Sequence, residues 1–300
     1  MVSGSTSSPA PDPACYPHPQ DRPLAGAPHP GRLVHPRLYA CECAGTALLM
    51  VFGVATNILL GAAGSPVGRV LAAHPALQVA LQGLFFGLGG TIAALSPFGR
   101  VSGGHVSPSV TLAFTLMGRL AWRDMLGYIA AQSAGAVLGT GLVALAGLVW
   151  PRWATWSQAT HFSATLPSPM VPLSWPFVGE ICTTALLIGT LLFTGGTAGL
   201  RWVTPLVAGP LFFMLNPFEA WLSGDSTNLA RTLGPALFSG QWRGFWIYGL
   251  APFAGAALMV ALVRLGALGA IELHEARVAH FGHHGRAPYL LPWRRRSATQ

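Results

Sequence analysis

The chain has 300 residues, a mean hydropathy of +0.50 and a charged fraction of 9%, well below the roughly 25% that is typical of soluble domains. So few charges could not cover the surface of a soluble fold of this size, and the lipid bilayer is therefore the expected solvent. The formal net charge of +8 comes from arginines at the ends of apolar stretches and in the C-terminal segment, which argues against a nucleic-acid-binding face.

Residues 1–36 are rich in Pro, Ser and His and have no apolar core, so we predict a disordered cytoplasmic tail there rather than a signal peptide. Six apolar stretches follow, each long enough to cross a hydrocarbon layer of about 30 Å. They are Tyr39–Gly61, Leu77–Leu95, Met125–Val149, Phe177–Phe193, Val203–Trp221 and Phe245–Leu265. The fifth is the weakest, because Asn216 and Glu219 interrupt its end.

Two shorter segments, 101–114 and 222–237, interrupt the pattern after the second span of each half of the chain. Each contains a Ser-Gly turn, then a residue suited to capping a helix N-terminus, Ser107 or Asn228. Pro108 is favourable at the first position of a helix. The apolar run that follows is too short to cross a membrane, so each segment predicts a re-entrant half-helix.

A glutamate also lies early in the first span of each half, Glu42 in one and Glu180 in the other. The two halves therefore carry the same features in the same order. Because each half has three spans, a duplicated copy must insert with the opposite topology, which predicts an inverted repeat.

Residues 102–113 and 223–236 resemble the two signature loops of the aquaporin (major intrinsic protein) family, whose members usually read Asn-Pro-Ala at both places. The resemblance covers roughly 37–267. It includes residues in the spans as well, namely Glu42, Glu180, Tyr128, Gln132, Tyr248 and Pro252. It implies an all-α membrane protein of six transmembrane helices and two re-entrant half-helices, with the half-helix N-termini together at the midplane. In aquaporin-type pores the positive ends of such half-helices form an electrostatic barrier to protons and cations.

The resemblance places the pore midplane at Ser107, Pro108, Ser109, Asn228, Leu229 and Ala230. By this resemblance the chain is identified as a divergent bacterial member, because Ser-Pro-Ser and Asn-Leu-Ala stand where the family usually has Asn-Pro-Ala. A serine hydroxyl has one rotatable donor, whereas an asparagine amide has two fixed donors. We therefore expect Ser107 still to cap its helix, but the two donors at the midplane to be unequal.

The selectivity filter can be assigned by position from the same resemblance. Arg231 matches the filter arginine, and Asn216 stands where water-selective members usually have His. Asp225 occupies a position that is usually small and neutral. One interpretation is a pair with Arg231. The other is that Asp225 turns outward, caps the second half-helix or faces water. The aromatic position of the second span falls on Phe86 or Gly87, and the sequence leaves both open.

Four further residues are interpreted as supports for the loops: Glu42, Glu180, His105 and Gln132. The resemblance implies that each buried glutamate accepts backbone N–H groups of a re-entrant loop, whereas a proton relay is the alternative for an ionisable residue inside a span. His105 either hydrogen-bonds its own loop or senses pH at the mouth. Histidines of the C-terminal segment lack ligand spacing, so we predict neither a metal nor any other cofactor.

We expect a channel domain at 37–268, with repeats at about 37–150 and 172–268, followed by a cytoplasmic C-terminal tail at 269–300. Arginines are more numerous on the side that carries both termini, which predicts cytoplasmic termini. An Arg-only, Ala- and Gly-rich composition suggests a bacterial protein of the inner membrane.

Taken together, these features predict a passive channel for water or small neutral solutes, surrounded by lipid and assembled, by resemblance, as a homotetramer. The first alternative is the same fold conducting glycerol, urea, ammonia or a metalloid acid. The second is a non-conducting membrane scaffold with a degenerate pore. No nucleophile elbow, phosphate loop or zinc signature is present, so an enzyme is not expected.

Overall fold

The computed structural model describes residues 34–269, 271, 273 and 275–279. The predicted tail 1–36 lies outside the described residues except at its last three positions, and the first helix already begins at Pro36. The α-helices in chain order are α1 (Pro36–Gly61), α2 (Pro66–Leu71), α3 (Pro75–Leu95), α4 (Pro97–Ser102), α5 (Pro108–Leu116), α6 (Trp122–Val149), α7 (Pro151–Ala159), α8 (Ser174–Gly196), α9 (Ala208–Glu219), α10 (Leu229–Ser239) and α11 (Phe245–Arg264).

Within the described residues, five helices are long and apolar enough to cross a membrane: α1, α3, α6, α8 and α11. They correspond to the predicted first, second, third, fourth and sixth spans. Several begin up to three residues earlier than predicted. In α1 and α3 this is because Pro36 and Pro75 stand in the first turn, where a missing N–H costs nothing.

The fifth predicted span, Val203–Trp221, is shorter than expected. It consists of a 3-10 turn, Thr204–Leu206, followed by α9, which has 12 residues. Thr91 Oγ1 donates to Pro205 O at 2.6 Å near one end, and Asn216 Nδ2 donates to Val79 O at 3.2 Å near the other. The turn and α9 therefore run antiparallel along α3, at the position of the fifth predicted span.

The two predicted half-helices are α5, with 9 residues, and α10, with 11 residues. At about 1.5 Å per residue they are roughly 14 and 17 Å long, about half of the hydrocarbon thickness. Asn228 precedes α10 and Ser107 precedes α5, both in extended conformation as N-cap residues. Both half-helices therefore begin at the residues that the sequence indicates.

Glycine contacts join the first and last span of each half at equivalent places. A Cβ on Gly135 of α6 would lie 2.3 Å from Cys43 O of α1, and one on Gly255 of α11 would lie 2.5 Å from Ile181 O of α8. In each half the contacted carbonyl belongs to the residue that follows the buried glutamate, Glu42 or Glu180. Such backbone-to-backbone approach requires glycine and is typical of membrane helices.

Two tyrosines also make equivalent contacts in the two halves, and each lies seven residues before the glycine of its half. Tyr128 donates its hydroxyl to Ser102 O at 2.6 Å, and Tyr248 donates to Ser223 O at 2.5 Å. Each acceptor lies five residues before the N-cap of its half-helix. The internal repeat is therefore visible in side-chain contacts as well as in the order of elements.

Candidate functional site

The first re-entrant loop is held by Glu42, which is fully buried at 0% exposure. Its carboxylate accepts the Val106 N–H, and its Oε1 also accepts from Gln132 Nε2 at 2.9 Å. Val106 has a φ of +46°, a conformation that a β-branched residue adopts only where its surroundings hold it. The carboxylate thus stabilises a strained turn immediately before α5.

Glu180 has the same place in the second loop and is also 0% exposed. Its two oxygens accept the Ser226 and Thr227 N–H groups, both at 2.7 Å. Thr227 has a φ of +52°, which matches the strained residue of the first loop. Both glutamates are therefore placed as acceptors for loop N–H groups, which is the arrangement that the loop-supporting interpretation requires.

The starts of the two half-helices contact each other directly. Asn228 caps α10, since its Oδ1 accepts the Ala230 N–H at 3.0 Å and the Arg231 N–H at 3.3 Å, while its Nδ2 donates to Val106 O at 3.0 Å. From the other side, Ser109 Oγ donates to Thr227 O at 2.8 Å. These two bonds cross between the halves of the chain and bring both N-termini to one buried point.

Ser107 does not cap α5 with its side chain, contrary to the prediction. Its Oγ is instead hydrogen-bonded to Ser109 Oγ at 2.9 Å. The reason is that Ser109 places a hydroxyl where the family motif has a methyl group, and this nearby partner competes with the backbone for Ser107. The first motif therefore forms a short hydroxyl chain from Ser107 through Ser109 to the opposite loop.

Arg231, in the first turn of α10, is buried, and its guanidinium is held by the connection between the two repeats. Its Nη1 donates to Ser163 O at 2.6 Å, and its Nη2 lies 3.3 Å from Ser163 Oγ. Asn57 Nδ2 in turn donates to Ser163 Oγ at 3.0 Å. Ser163 is not among the residues predicted from the sequence, because it lies 68 residues from Arg231 in an irregular turn where its φ is +61°.

The structure distinguishes the two candidates for the aromatic filter position. The Arg231 guanidinium carbon lies 4.5 Å from the centroid of the Phe86 ring, a cation–π arrangement. Gly87 faces α9 instead, where an added Cβ would be 2.6 Å from the Ala208 carbonyl oxygen. Phe86 therefore lies with Arg231, and Gly87 is a helix-packing position.

Asn216 lies between α9 and α3. Besides its bond to Val79 O, its amide lies against Gly83, where an added Cβ would be 2.7 Å from Asn216 Nδ2. The amide donor is thus used by the backbone of α3, about two turns before Phe86. The structure places Asn216 on the same pair of helices as Phe86 but gives it no contact with Arg231.

Asp225 is only 7% exposed and its carboxylate accepts no N–H of the second half-helix, so it neither turns outward to water nor caps that helix, as one interpretation held. The other interpretation, a pair with Arg231, is also wrong, because the ion pairs of the described residues do not include it and both carboxylate oxygens lack a hydrogen-bond partner there. The Thr183 hydroxyl lies near Asp225, but it donates its hydrogen to Gly179 O at 3.1 Å. Arg231 is satisfied by neutral groups instead.

His105 is buried and stacks on Phe114 at a centroid distance of 4.7 Å. Its Nδ1 lies 3.2 Å from Thr111 Oγ1, and its Nε2 lies 3.0 Å from Ala276 O of the C-terminal segment. Gln132 Nε2 also reaches Thr111 Oγ1, at 2.9 Å. The histidine thus bonds the helix that follows its own loop, and it also bonds the C-terminal segment, a contact that the sequence pattern does not predict.

In the described part of the chain, no group of three or more His, Cys, Asp or Glu residues is placed to hold a metal ion. The C-terminal histidines considered above, His274, His280, His283 and His284, all lie outside the described residues.

Sequence comparison finds known proteins that resemble this chain. The family model described as "Major intrinsic protein" matches residues 33–263. Glycerol uptake facilitator protein-like 6 of Lactiplantibacillus plantarum is 32% identical over 76% of this chain and 97% of its own length. Aquaporin-4 of Mus musculus is 29% identical over 74% of this chain and 65% of its own length. Aquaporin NIP1-1 of Zea mays is 36% identical, but this chain spans only 53% of its length.

Among solved structures, the aquaglyceroporin from Plasmodium falciparum superposes with a TM-score of 0.62, covering 78% of this chain and 99% of that one at 19% identity. This likeness confirms the fold class, an all-α membrane bundle with two half-helices. The family is shown by the sequence matches, not by this superposition. The chain belongs to the major intrinsic protein family.

Proposed function

We propose that this chain forms a passive transmembrane channel for water or another small uncharged solute. The observation that carries the proposal is the junction of the half-helices, where Asn228 donates to Val106 O and Ser109 donates to Thr227 O. Two helix N-termini held together inside a membrane bundle concentrate partial positive charge at one point. A neutral dipolar molecule can be oriented there, whereas a cation or an excess proton is repelled.

Arg231 adds a full positive charge to the same route. Its guanidinium is held by neutral groups, the Ser163 carbonyl and hydroxyl. The ion pairs of the described residues do not include Arg231. In this proposal Arg231 and Phe86 form the selectivity filter, with Asn216 and Asp225 beside it. The midplane motif residues, Ser107, Pro108, Ser109, Asn228, Leu229 and Ala230, provide the hydrogen-bonding step between the two mouths.

Water is the first candidate cargo, and a small polyol such as glycerol is the second. The second is favoured by one observation, the relative named glycerol uptake facilitator protein-like 6, which aligns over 97% of its own length. Urea, ammonia and a metalloid acid remain within the same class of neutral solutes. The second alternative, a non-conducting scaffold, predicts no flux of any solute.

The protein is a multi-pass membrane protein, and the finer assignments belong to the proposal. The distribution of arginine supports cytoplasmic termini in a bacterial inner membrane. A homotetramer is inferred from the family alone. No chemical step is proposed for any residue, because a channel needs only downhill permeation.

Stopped-flow light scattering of proteoliposomes tests the proposal. An osmotic gradient of an impermeant solute should shrink vesicles that contain the protein faster than empty vesicles. In a gradient of glycerol or urea, swelling after the initial shrinkage shows that the solute enters through the protein. The matched control is Asn228→Leu, which removes the amide at the junction and should abolish the added flux. If vesicles with wild-type protein and with the strap-release variants described below never exceed empty ones for any solute, the channel proposal is wrong.

A further inference from the structure

The C-terminal segment returns to the first re-entrant loop after α11 ends. We refer to its described residues, 271, 273 and 275–279, as the C-terminal strap. We propose that the C-terminal strap closes the mouth of the channel next to α4 and α5, and that the channel conducts when the strap leaves this position. The inference rests on the proposed channel function, and in the proposed orientation this mouth is cytoplasmic.

Three hydrogen bonds attach the strap to the approach to Ser107. Val278 N–H donates to Gly103 O at 2.9 Å, and Ala276 O lies 3.0 Å from His105 Nε2. Arg277 Nη1 donates to Arg100 O at 2.8 Å. All three partners lie between two and seven residues before Ser107, the N-cap of the first half-helix, so the strap is attached to the chain that leads into that helix.

The contact at Gly103 is too close for any other residue. Gly103 has a φ of +100°, and an added Cβ would lie 2.4 Å from Ala276 O. A carbonyl oxygen of the strap therefore occupies the space directly against the loop backbone. Since the imidazole faces that carbonyl, His105 must carry a proton on Nε2 to donate to it.

The strap is also anchored by apolar side chains. Leu273 is 2% exposed, and Val278 and Ala279 are buried with it in the same apolar cluster. That cluster includes residues from the ends of four helices of the bundle, for example Ala94 of α3, Val110 of α5, Leu191 of α8 and Val263 of α11. The burial of these side chains gives the strap a free energy of binding that loop contact alone would not provide.

The strap contacts both halves of the molecule. Leu273 Cδ2 lies 3.5 Å from the position of a Cβ on Gly195, at the end of α8 in the second repeat, while Ala276 and Val278 bond to the first repeat. A pore between two repeats has its mouths where elements of both converge. A segment that bridges them at one mouth, with apolar groups inward, blocks the passage of polar solutes there.

Full-length variants that release the strap without touching the channel residues test closure. Leu273→Asn and Val278→Asn each place an amide in the apolar cluster, where both native side chains are buried. Leu268→Asn is the matched control, because Leu268 is 49% exposed in the same connection. The rate of tryptic cleavage after Arg277, followed by mass spectrometry, reports independently whether the strap has left the loop.

We expect both release variants to be cleaved faster at Arg277 and to raise the osmotic permeability per reconstituted protein several-fold, while Leu268→Asn resembles wild type in both measurements. Equal permeability of wild type and release variants, all above empty vesicles, would overturn closure and leave the channel function intact. Lower permeability in the release variants would assign the strap a supporting role and also overturn closure. Faster cleavage with no flux in any protein would overturn the proposed function itself.

Discussion

Ser223 lies between two carboxyl groups, and its hydrogen bonds determine which of them carries a proton. Its Oγ is 2.7 Å from both Glu180 Oε1 and Glu219 Oε1, and it accepts the Asp225 N–H at 3.1 Å. A hydroxyl has a single hydrogen, so it can donate to only one carboxyl group and must accept from the other. Glu180 already accepts two backbone N–H groups, which favours its ionised form. Glu219 is therefore the neutral acid that donates to Ser223.

Replacing each glutamate by glutamine should accordingly have unequal effects on stability. Glu219→Gln keeps a donor towards Ser223 and should leave thermal unfolding in detergent nearly unchanged. Glu180→Gln turns an NH₂ group towards backbone donors and should cost about 1–3 kcal/mol, since a buried N–H is left unpaired. Infrared spectra should show a protonated carboxyl band in wild type that Glu219→Gln loses. A wild-type spectrum without that band would contradict the assignment.

The hydroxyl chain at the first motif gives a second prediction at this scale. Ser109→Ala removes the donor to Thr227 O and the partner of Ser107, so we expect a loss of roughly 1–2 kcal/mol in stability. The loss should shrink when Ser107→Asn is added, because an amide can cap α5 as Asn228 caps α10. A double-mutant cycle on thermal unfolding measures the coupling between the two positions. Simple additivity would show that the two hydroxyls act independently.

Residue positions carried over from the family were found from sequence, but their partners were not. Glu42, Glu180 and Asn228 lie at the loops as expected, because the spacing of a repeat fixes which residues come near. Ser163 could not be foreseen, since an irregular connection with successive positive φ values has no periodicity to read. The ion pair of Asp225 with Arg231 was wrong for a related reason: charge alone does not show that a neutral carbonyl already holds the guanidinium.

At the scale of elements, hydropathy locates the long helices well and the short ones poorly. Five spans were identified to within three residues of their ends, because apolar length is a direct requirement of the bilayer. Helices α2, α4 and α7, of six to nine residues, were not predicted, since too few turns exist for a periodic pattern. The 3-10 turn before α9 was also missed, although Pro205 stands within it.

Helix pairing through glycine gives an element-scale prediction with an internal control. Gly255→Ala should separate α11 from α8, because its Cβ would lie 2.5 Å from Ile181 O, a backbone atom that cannot rotate away. The cost of such overpacking is typically about 1–3 kcal/mol. Gly249→Ala, in the same helix with nothing within 4 Å of its Cβ, should leave the unfolding temperature unchanged or raise it. Equal effects at both positions would show that helix propensity rather than close contact decides.

At the scale of the whole molecule, the two repeats differ most where each is covered. In the second repeat Gly224 faces Thr165 of the connection between the halves, whereas in the first Gly103 faces Ala276 of the C-terminal strap. The equivalent loops are thus covered by unrelated stretches of chain. Because neither stretch is part of the duplicated unit, a comparison of the halves by sequence could predict the loops but not what lies on them.

Charge exclusion is the property that both repeats are expected to produce together, and Arg231 allows their contributions to be separated. Arg231→Met removes the full charge and keeps much of the side-chain volume, while the half-helix N-termini remain in place. We expect water permeability to persist and leakage of cations to rise, because the partial charges at the midplane are a weaker barrier than the guanidinium. Arg243→Met is the control, since that arginine bonds Pro167 O outside the filter. The measurement is the decay of an imposed pH or sodium gradient across proteoliposomes of a strap-release variant. If the decay does not change in Arg231→Met, the two helix termini alone exclude cations, and the filter arginine serves to select among neutral solutes.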